Sequence, residues 1–248
     1  MTTRNIVCFF ILIGTAIVLN GCSAPHEFTV KKSEKLKEML SETESSDTQR
    51  ILTNNEIASV INGLQSVQSV PVDPGEFAAL ETSKGTIIFK FFPDSAANHC
   101  ANFKRLANSG FYDWTLFHRV ITGFMIQGGS ILSRNDNPSD DSGGNPGYTI
   151  DAEFNGIKHV PGIVSMARGR APNTAGSQFF IMHGRVPGLD HQYSVFGEVV
   201  EGLEVVDAIA TAPRDDTDHP LENIYLKKAR VFKPELSFFD KIFDKTIK

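Results

Sequence analysis

From Phe117 to Gly129 the chain reads F-H-R-V-I-T-G-F-M-I-Q-G-G, which sets one permanent cation and one amide among apolar and glycine residues. Two short strands separated by the Thr122-Gly123 break would alternate with a period of two. Arg119 and Ile121 then share one side, His118 and Val120 the other, and Met125 and Gln127 share a face. Such a surface holds a nonpolar ligand against one strong multi-pronged donor. It supplies no obvious nucleophile, acid/base pair or metal cluster.

The flanking sequence repeats the short-strand pattern. Strand-like runs are expected at Phe77 to Thr82, Thr86 to Phe92, Phe117 to Val120, Met125 to Gly128, Gly162 to Met166, Phe179 to Met182, Val195 to Val199 and Tyr225 to Phe232. Two helices interrupt them. One runs from Ala96 to Asn108 with Asp94 or Ser95 as its cap, and the other from Leu203 to Ala210. Short strands, two helices and glycine-rich turns point to a closed or nearly closed antiparallel barrel. Cys100 shares a helical face with Phe103 and Leu106 and reads as a buried, inert thiol. The loop from Ser130 to Gly147 carries Asp136, Asp140 and Asp141, but their spacing is not that of a calcium loop and no closing Glu follows. It reads as a solvated loop.

Two further blocks sharpen the picture: Pro161 to Phe180, P-G-I-V-S-M-A-R-G-R-A-P-N-T-A-G-S-Q-F-F, and Leu189 to Gly197, L-D-H-Q-Y-S-V-F-G. Together with the first run they closely resemble the cyclophilin family of peptidyl-prolyl cis-trans isomerases, over roughly residues 77 to 233. The resemblance implies a mainly β fold, a closed eight-stranded antiparallel barrel with two α-helices, and rotation of X-Pro bonds with no cofactor and no metal. Residue by residue it implies a proline pocket of Phe124, Met125, Phe180 and Leu189, with Ile121 and Tyr193 beside them. Gln127 and Gln178 become polar partners of the peptide backbone, Ala167 and Arg168 pair with the substrate chain, and His118 stands next to the catalytic Arg119. Two departures stand out. Gly188 occupies a position where many cyclophilins have tryptophan, and Tyr193 one where many have histidine. The lost indole implies weak binding of cyclosporin, a family inhibitor.

The chemistry suits these residues. Amide resonance opposes rotation with a barrier of roughly 18–20 kcal/mol, and X-Pro bonds exchange unaided over tens to hundreds of seconds. No covalent bond breaks, so a catalyst need only hold the twisted amide more tightly than either planar form. An apolar grip on the ring and a cation aimed at the prolyl nitrogen would do so, and Arg119 keeps its charge without a base to activate it. Ser177 lies in A-G-S-Q-F rather than G-x-S-x-G, and the seven histidines show no paired metal spacing, which disfavours a hydrolase or metalloenzyme. A binding or chaperone module on the same fold is the alternative from another class.

The ends lie outside the resemblance. Ile6 to Leu19 is a nearly unbroken apolar run after a single basic residue, Arg4, short for a spanning helix of about 20 residues and suited to a secretory signal. It ends in Leu19-Asn20-Gly21-Cys22, which resembles a bacterial lipoprotein cleavage box with Cys22 as the lipid-modified first residue. An uncleaved anchor is the alternative. The expected organisation is a signal at 1–21, a tether with short helices at 22–76, the isomerase domain at 77–233 and an amphipathic tail at 234–248. One of the tether helices would be capped by Thr53 or Asn54, with Ile57, Val60, Ile61 and Leu64 as its apolar stripe. Export and lipid anchoring place the protein in the cell envelope, facing the periplasm. By lipoprotein sorting rules Ser23 points to the outer membrane, and the substrates are unfolded or exported proline-containing polypeptides. A net charge of −5 with no basic stripe argues against nucleic acid as a partner.

Overall fold

A computed structural model describes residues 51–234 of the chain. The apolar N-terminal run, Cys22, the tether up to residue 50 and the tail beyond Pro234 lie outside the described residues. The elements in chain order are α1 (Asn54–Gly63), β1 (Phe77–Thr82), β2 (Gly85–Phe91), α2 (Ala97–Asn108), β3 (Thr115–Leu116), β4 (Arg119–Ile121), β5 (Met125–Gly128), β6 (Ile163–Met166), β7 (Phe179–Met182), β8 (Val195–Glu201), α3 (Leu203–Ala210) and β9 (Tyr225–Phe232).

The nine strands form one antiparallel sheet in the order β3-β9-β1-β2-β8-β6-β7-β5-β4. Its two edges, β3 and β4, are consecutive in the chain, and Leu116 on one is only three residues from Arg119 on the other. Three extended residues span at most about 11 Å, so the sheet must curl until its edges nearly meet. The fold is therefore a curled half-barrel. The expected closed, eight-stranded barrel is corrected to nine strands whose edges are joined by the chain rather than by a ladder. The difference is local: of the run read as one strand, Phe117 to Val120, only Arg119 and Val120 are strand, whereas Thr115–Leu116 just before it forms the extra strand, continued along β9 by the Phe117 N–H bonding Ile224 O at 2.9 Å. Leu116 then pairs with β9 and Arg119 with β5.

Alternation along the central strands builds two apolar layers. Val120, Ile126, Val164, Phe179, Ile181 and Phe196 face the main core with Phe89 and Phe103, while Met125, Ile163, Phe180, Met182 and Val195 form a second cluster on the other face. Strands covered on both sides read as unbroken apolar runs, as Phe179–Met182 does. Gly129 ends the first motif at φ 85°, where a Cβ would lie 2.6 Å from Ser177 O, so only glycine fits.

The helices close the main core. Around α1, Thr53 and Glu56 make a reciprocal capping box, and Leu52, Ile57, Leu64 and Val72 are buried with the sheet's own core residues. Cys100 on α2 is buried, with Sγ 3.4 Å from Phe196 O, and burial pushes its thiol up to about 12. The expected cap of α2 by Asp94 or Ser95 does not form: Ala96 holds the cap position with no side-chain bond. Instead the carboxylate of Glu153 accepts the N–H groups of Asn98 at 3.1 Å and His99 at 2.9 Å. It also meets His99 Nδ1 at 2.6 Å.

Candidate active site

On the outer face of the half-barrel, strand register sets the working side chains in a row: Arg119 opposite Gln127, Gln127 opposite Phe180, and Phe180 opposite Ser165. Met125 lies one row along, between Ile121 and Met182. Above this face opens a cavity of about 650 Å³. Phe124, Met125, Ala167, Phe180, Leu189 and Tyr193 give it an apolar side, and His118, Arg119, Gln127 and Arg168 supply polar groups. Ten of the twelve pocket residues expected from the sequence thus meet in one hollow.

The other two are not in its lining. Ile121 is half-buried against the same apolar cluster, on the strand face it shares with Met125, but does not line the cavity. Gln178 lines an adjoining hollow of about 250 Å³ with Gln127, Ala167 and Arg168; its Oε1 accepts from Gln127 Nε2 at 2.9 Å, and its Nε2 donates to Ser142 O at 2.8 Å and Gly144 O at 3.0 Å. It holds Gln127 and the following loop in place.

Arg119 is half-exposed, with its guanidinium carbon 6.0 Å from the centre of the Phe124 ring. Its Nε donates to Asp218 Oδ2 at 3.4 Å. The fixed positive charge therefore stands at the rim of an apolar slot, where low dielectric strengthens its action on any dipole held there.

His118 shares the cavity although alternation assigned it to the opposite side, because the chain is irregular between β3 and β4. It is buried, and no hydrogen bond of ordinary geometry reaches either ring nitrogen. Burial, then the charges of His219 and Arg119, push it down to about 4, against the opposing influence of Leu116 and Gln178. It is neutral at physiological pH and is no proton donor there. The unfolded chain takes up this proton first as pH falls below 6.5, so up to about 3 kcal/mol of stability is lost between pH 6.5 and 4. Urea midpoints measured from pH 7 to pH 4 are expected to fall, and His118→Asn should make that fall shallower.

A buried network backs the pocket. His159 stacks near Phe180, with ring centres 6.0 Å apart and planes 19° apart, and meets Tyr193 edge-on at 6.3 Å. Its Nδ1 lies 3.3 Å from Asp190 Oδ1 and its Nε2 3.2 Å from Ser165 Oγ. The order Asp, His, Ser resembles a hydrolytic triad, but Ser165 is fully buried and its hydroxyl donates to Ser194 O at 3.1 Å, so it is a brace rather than a nucleophile. Arg185 holds Asp190 through Nη2 at 2.7 Å and keeps its carboxyl well below the usual range. Arg168 lies over the Tyr193 ring at 4.7 Å and donates to Gln192 O, so this cation forms a wall of the pocket. At Gly188 an added Cβ would touch nothing, which leaves the side near Leu189 open.

Two loops that sequence reasoning left outside the site also reach the cavity: Pro138, Ser139, Asp141 and Ser142 from one, Thr217 and His219 from the other. Asp141 corrects the solvated-loop reading. It is buried, and its Oδ2 meets His219 Nε2 at 2.9 Å. Burial raises its carboxyl, against the hydrogen bond and charge of His219. No spacing signal joins residues 78 positions apart, so the pair was invisible in the sequence. Among the described residues, no three His, Cys, Asp or Glu side chains gather as a metal set.

This arrangement has known counterparts. The family model for "Cyclophilin type peptidyl-prolyl cis-trans isomerase/CLD" matches residues 77–231. A peptidyl-prolyl cis-trans isomerase of Synechococcus elongatus is 46% identical over 140 residues, covering 55% of this chain and 90% of its own. A probable peptidyl-prolyl cis-trans isomerase of Brucella abortus is 38% identical over 158 residues, covering 62% of this chain and 80% of its own. Among solved structures, a cyclophilin-type isomerase of Cryptosporidium parvum, crystallised in the presence of the dipeptide Ala-Pro, superposes with a TM-score of 0.58. It is 32% identical and covers 64% of this chain and 99% of its own. The chain belongs to the cyclophilin family and is a cyclophilin-type peptidyl-prolyl cis-trans isomerase.

Proposed function

We propose that this isomerase rotates X-Pro bonds in unfolded or newly exported polypeptides, held at the cell envelope by lipid on Cys22. The proline ring enters the slot between Phe124, Met125, Phe180 and Leu189, which excludes water. Arg119 donates to the prolyl nitrogen, whose lone pair is released from resonance as the amide twists. That interaction strengthens only on twisting, so it lowers the barrier instead of deepening the ground state. Gln127 and the Ala167-Arg168 segment align the peptide backbone beside it. The observation that carries this reading is a guanidinium 6.0 Å from the Phe124 ring, on the rim of a hollow shared with Met125 and Phe180. Its test is isomerisation of a short X-Pro peptide. Catalysis is expected with no added cofactor or metal, and an inactive wild type would favour a pure binding module. Cyclosporin is expected to bind weakly, since Gly188 offers no ring beside Leu189.

The envelope location rests on the apolar run closed by Leu19-Asn20-Gly21-Cys22 and on Ser23, which favours the outer membrane. Cys22→Ser is expected to block processing or to release the protein from the membrane fraction. Unchanged processing and fractionation would instead support an uncleaved anchor.

A further inference from the structure

The turn that carries Asp218 is bound to Arg119 more closely than a surface loop needs to be. It is wound on Asp215, whose Oδ1 accepts from the N–H groups of Thr217 at 2.8 Å and His219 at 3.0 Å. The Asp215 N–H in turn donates to His219 O at 2.9 Å. At its tip Asp218 adopts φ 68°, a left-handed conformation that a glycine would adopt without strain. From there the residue grips β4 twice. Its carbonyl accepts the Val120 N–H at 2.9 Å, and its Oδ2 accepts from Arg119 Nε at 3.4 Å.

Arg214 completes the arrangement. Its Nε lies 3.4 Å from Asp218 Oδ1 and its Nη1 donates to Val120 O at 2.9 Å. The carboxylate is therefore shared by two guanidinium groups, and the trio keeps a net positive charge. Asp218 can hold the Nε edge of Arg119 without cancelling the field that the pocket receives, which leaves the terminal nitrogens of the fork for the substrate.

We infer that Asp218 is a positioning residue for isomerisation: its carboxylate fixes the plane of the Arg119 guanidinium against the proline slot. The inference rests on Arg119 being the catalytic donor. A freely rotating arginine would still bind the peptide but would meet the twisted amide less often, so the loss should fall on kcat rather than KM.

The experiment compares wild type, Asp218→Gly, Asp218→Asn, Arg119→Ala and the double variant Arg119→Ala/Asp218→Gly of the full chain on one X-Pro peptide. Glycine accepts φ 68° and leaves the backbone bonds of the turn intact, so folding is preserved, and an unchanged melting temperature checks this. Asp218→Gly is expected to lower kcat about fivefold with KM within about twofold. Asp218→Asn, which keeps an acceptor oxygen, should recover part of the loss. In the Arg119→Ala background the glycine substitution should change nothing further. A loss of the same size in both backgrounds, or wild-type kcat for Asp218→Gly, overturns the positioning role. Full activity of Arg119→Ala alone overturns the donor assignment, and the positioning role with it.

Discussion

Replacing Arg119 with alanine is expected to lower kcat/KM for an X-Pro peptide at least tenfold while leaving the fold intact. Tenfold corresponds to about 1.4 kcal/mol of transition-state stabilisation, within reach of a single well-aimed charged donor at the edge of an apolar cavity. The side chain is 42% exposed, and its ion pair with Asp218 spans 3.4 Å. Such partly exposed pairs contribute at most about 1 kcal/mol to stability. The melting temperature should therefore barely move, which separates a catalytic loss from a folding loss. Lysine at the same position keeps the charge but not the planar fork, so Arg119→Lys should fall between wild type and alanine. Progress curves of a proline peptide and a thermal melt of each variant check both halves of the expectation.

The second large effect belongs to stability. Glu153→Ala removes the carboxylate that caps α2 and partners His99. The ring of His99 is fully buried and its Nε2 has no hydrogen-bond partner, so losing Glu153 at Nδ1 leaves the imidazole with none from a side chain. The N–H groups of Asn98 and His99 lose their acceptor as well. A lost cap and an orphaned buried polar group together cost about 3 kcal/mol, which for a domain of this size lowers the melting temperature by about 6–12 °C. Glu153 does not line the cavity, so kcat/KM well below the melting point should stay near wild type.

The same pair sets an acid limit. Burial raises Glu153, but its hydrogen bonds to His99 and Asn98 and the charge of His99 outweigh that and leave it below the ordinary value. Burial also lowers His99, with Glu153 opposing. Both folded-state values are thus depressed, so both contributions are lost as pH falls. The alanine variant should lose the Glu153 part of this acid sensitivity, in the carboxylate range, while the His99 part, no longer opposed by Glu153, should grow. A wild-type melting temperature for Glu153→Ala would remove the carboxylate from this role.

What the sequence disclosed and what it withheld follow one physical division. Period-two alternation is a local property, so the outward pair Met125 and Gln127 and the strand Phe179–Met182 were legible from spacing alone. The same rule failed at His118, because the Phe117 N–H is drawn away to Ile224 and the strand breaks just there. Long-range polar contacts carry no spacing at all. Glu153 caps a helix 54 residues upstream, and His219 binds Asp141 across 78 positions, and neither partner announces the other. The resemblance supplied most of the pocket but not its rim: the segments bearing Ser139 and Thr217 lie outside the quoted motifs. It also placed Ile121 and Gln178 at the cavity, whereas Ile121 stands outside its lining and Gln178 lines the adjoining hollow. The packing of Leu52 and Ile57 into the sheet's core likewise depends on the curl of a surface made by residues far along the chain.

The most direct test of the central claim is magnetisation exchange between the cis and trans forms of a proline peptide, recorded by NMR with a small fraction of the full-length protein. Unaided exchange takes tens to hundreds of seconds, too slow to give cross-peaks within the far shorter mixing time. Strong cis–trans cross-peaks are expected with wild type and their loss with Arg119→Ala, while line broadening from peptide binding persists in both. Cross-peaks of equal strength from the alanine variant, or broadening without exchange from the wild type, would contradict the claim.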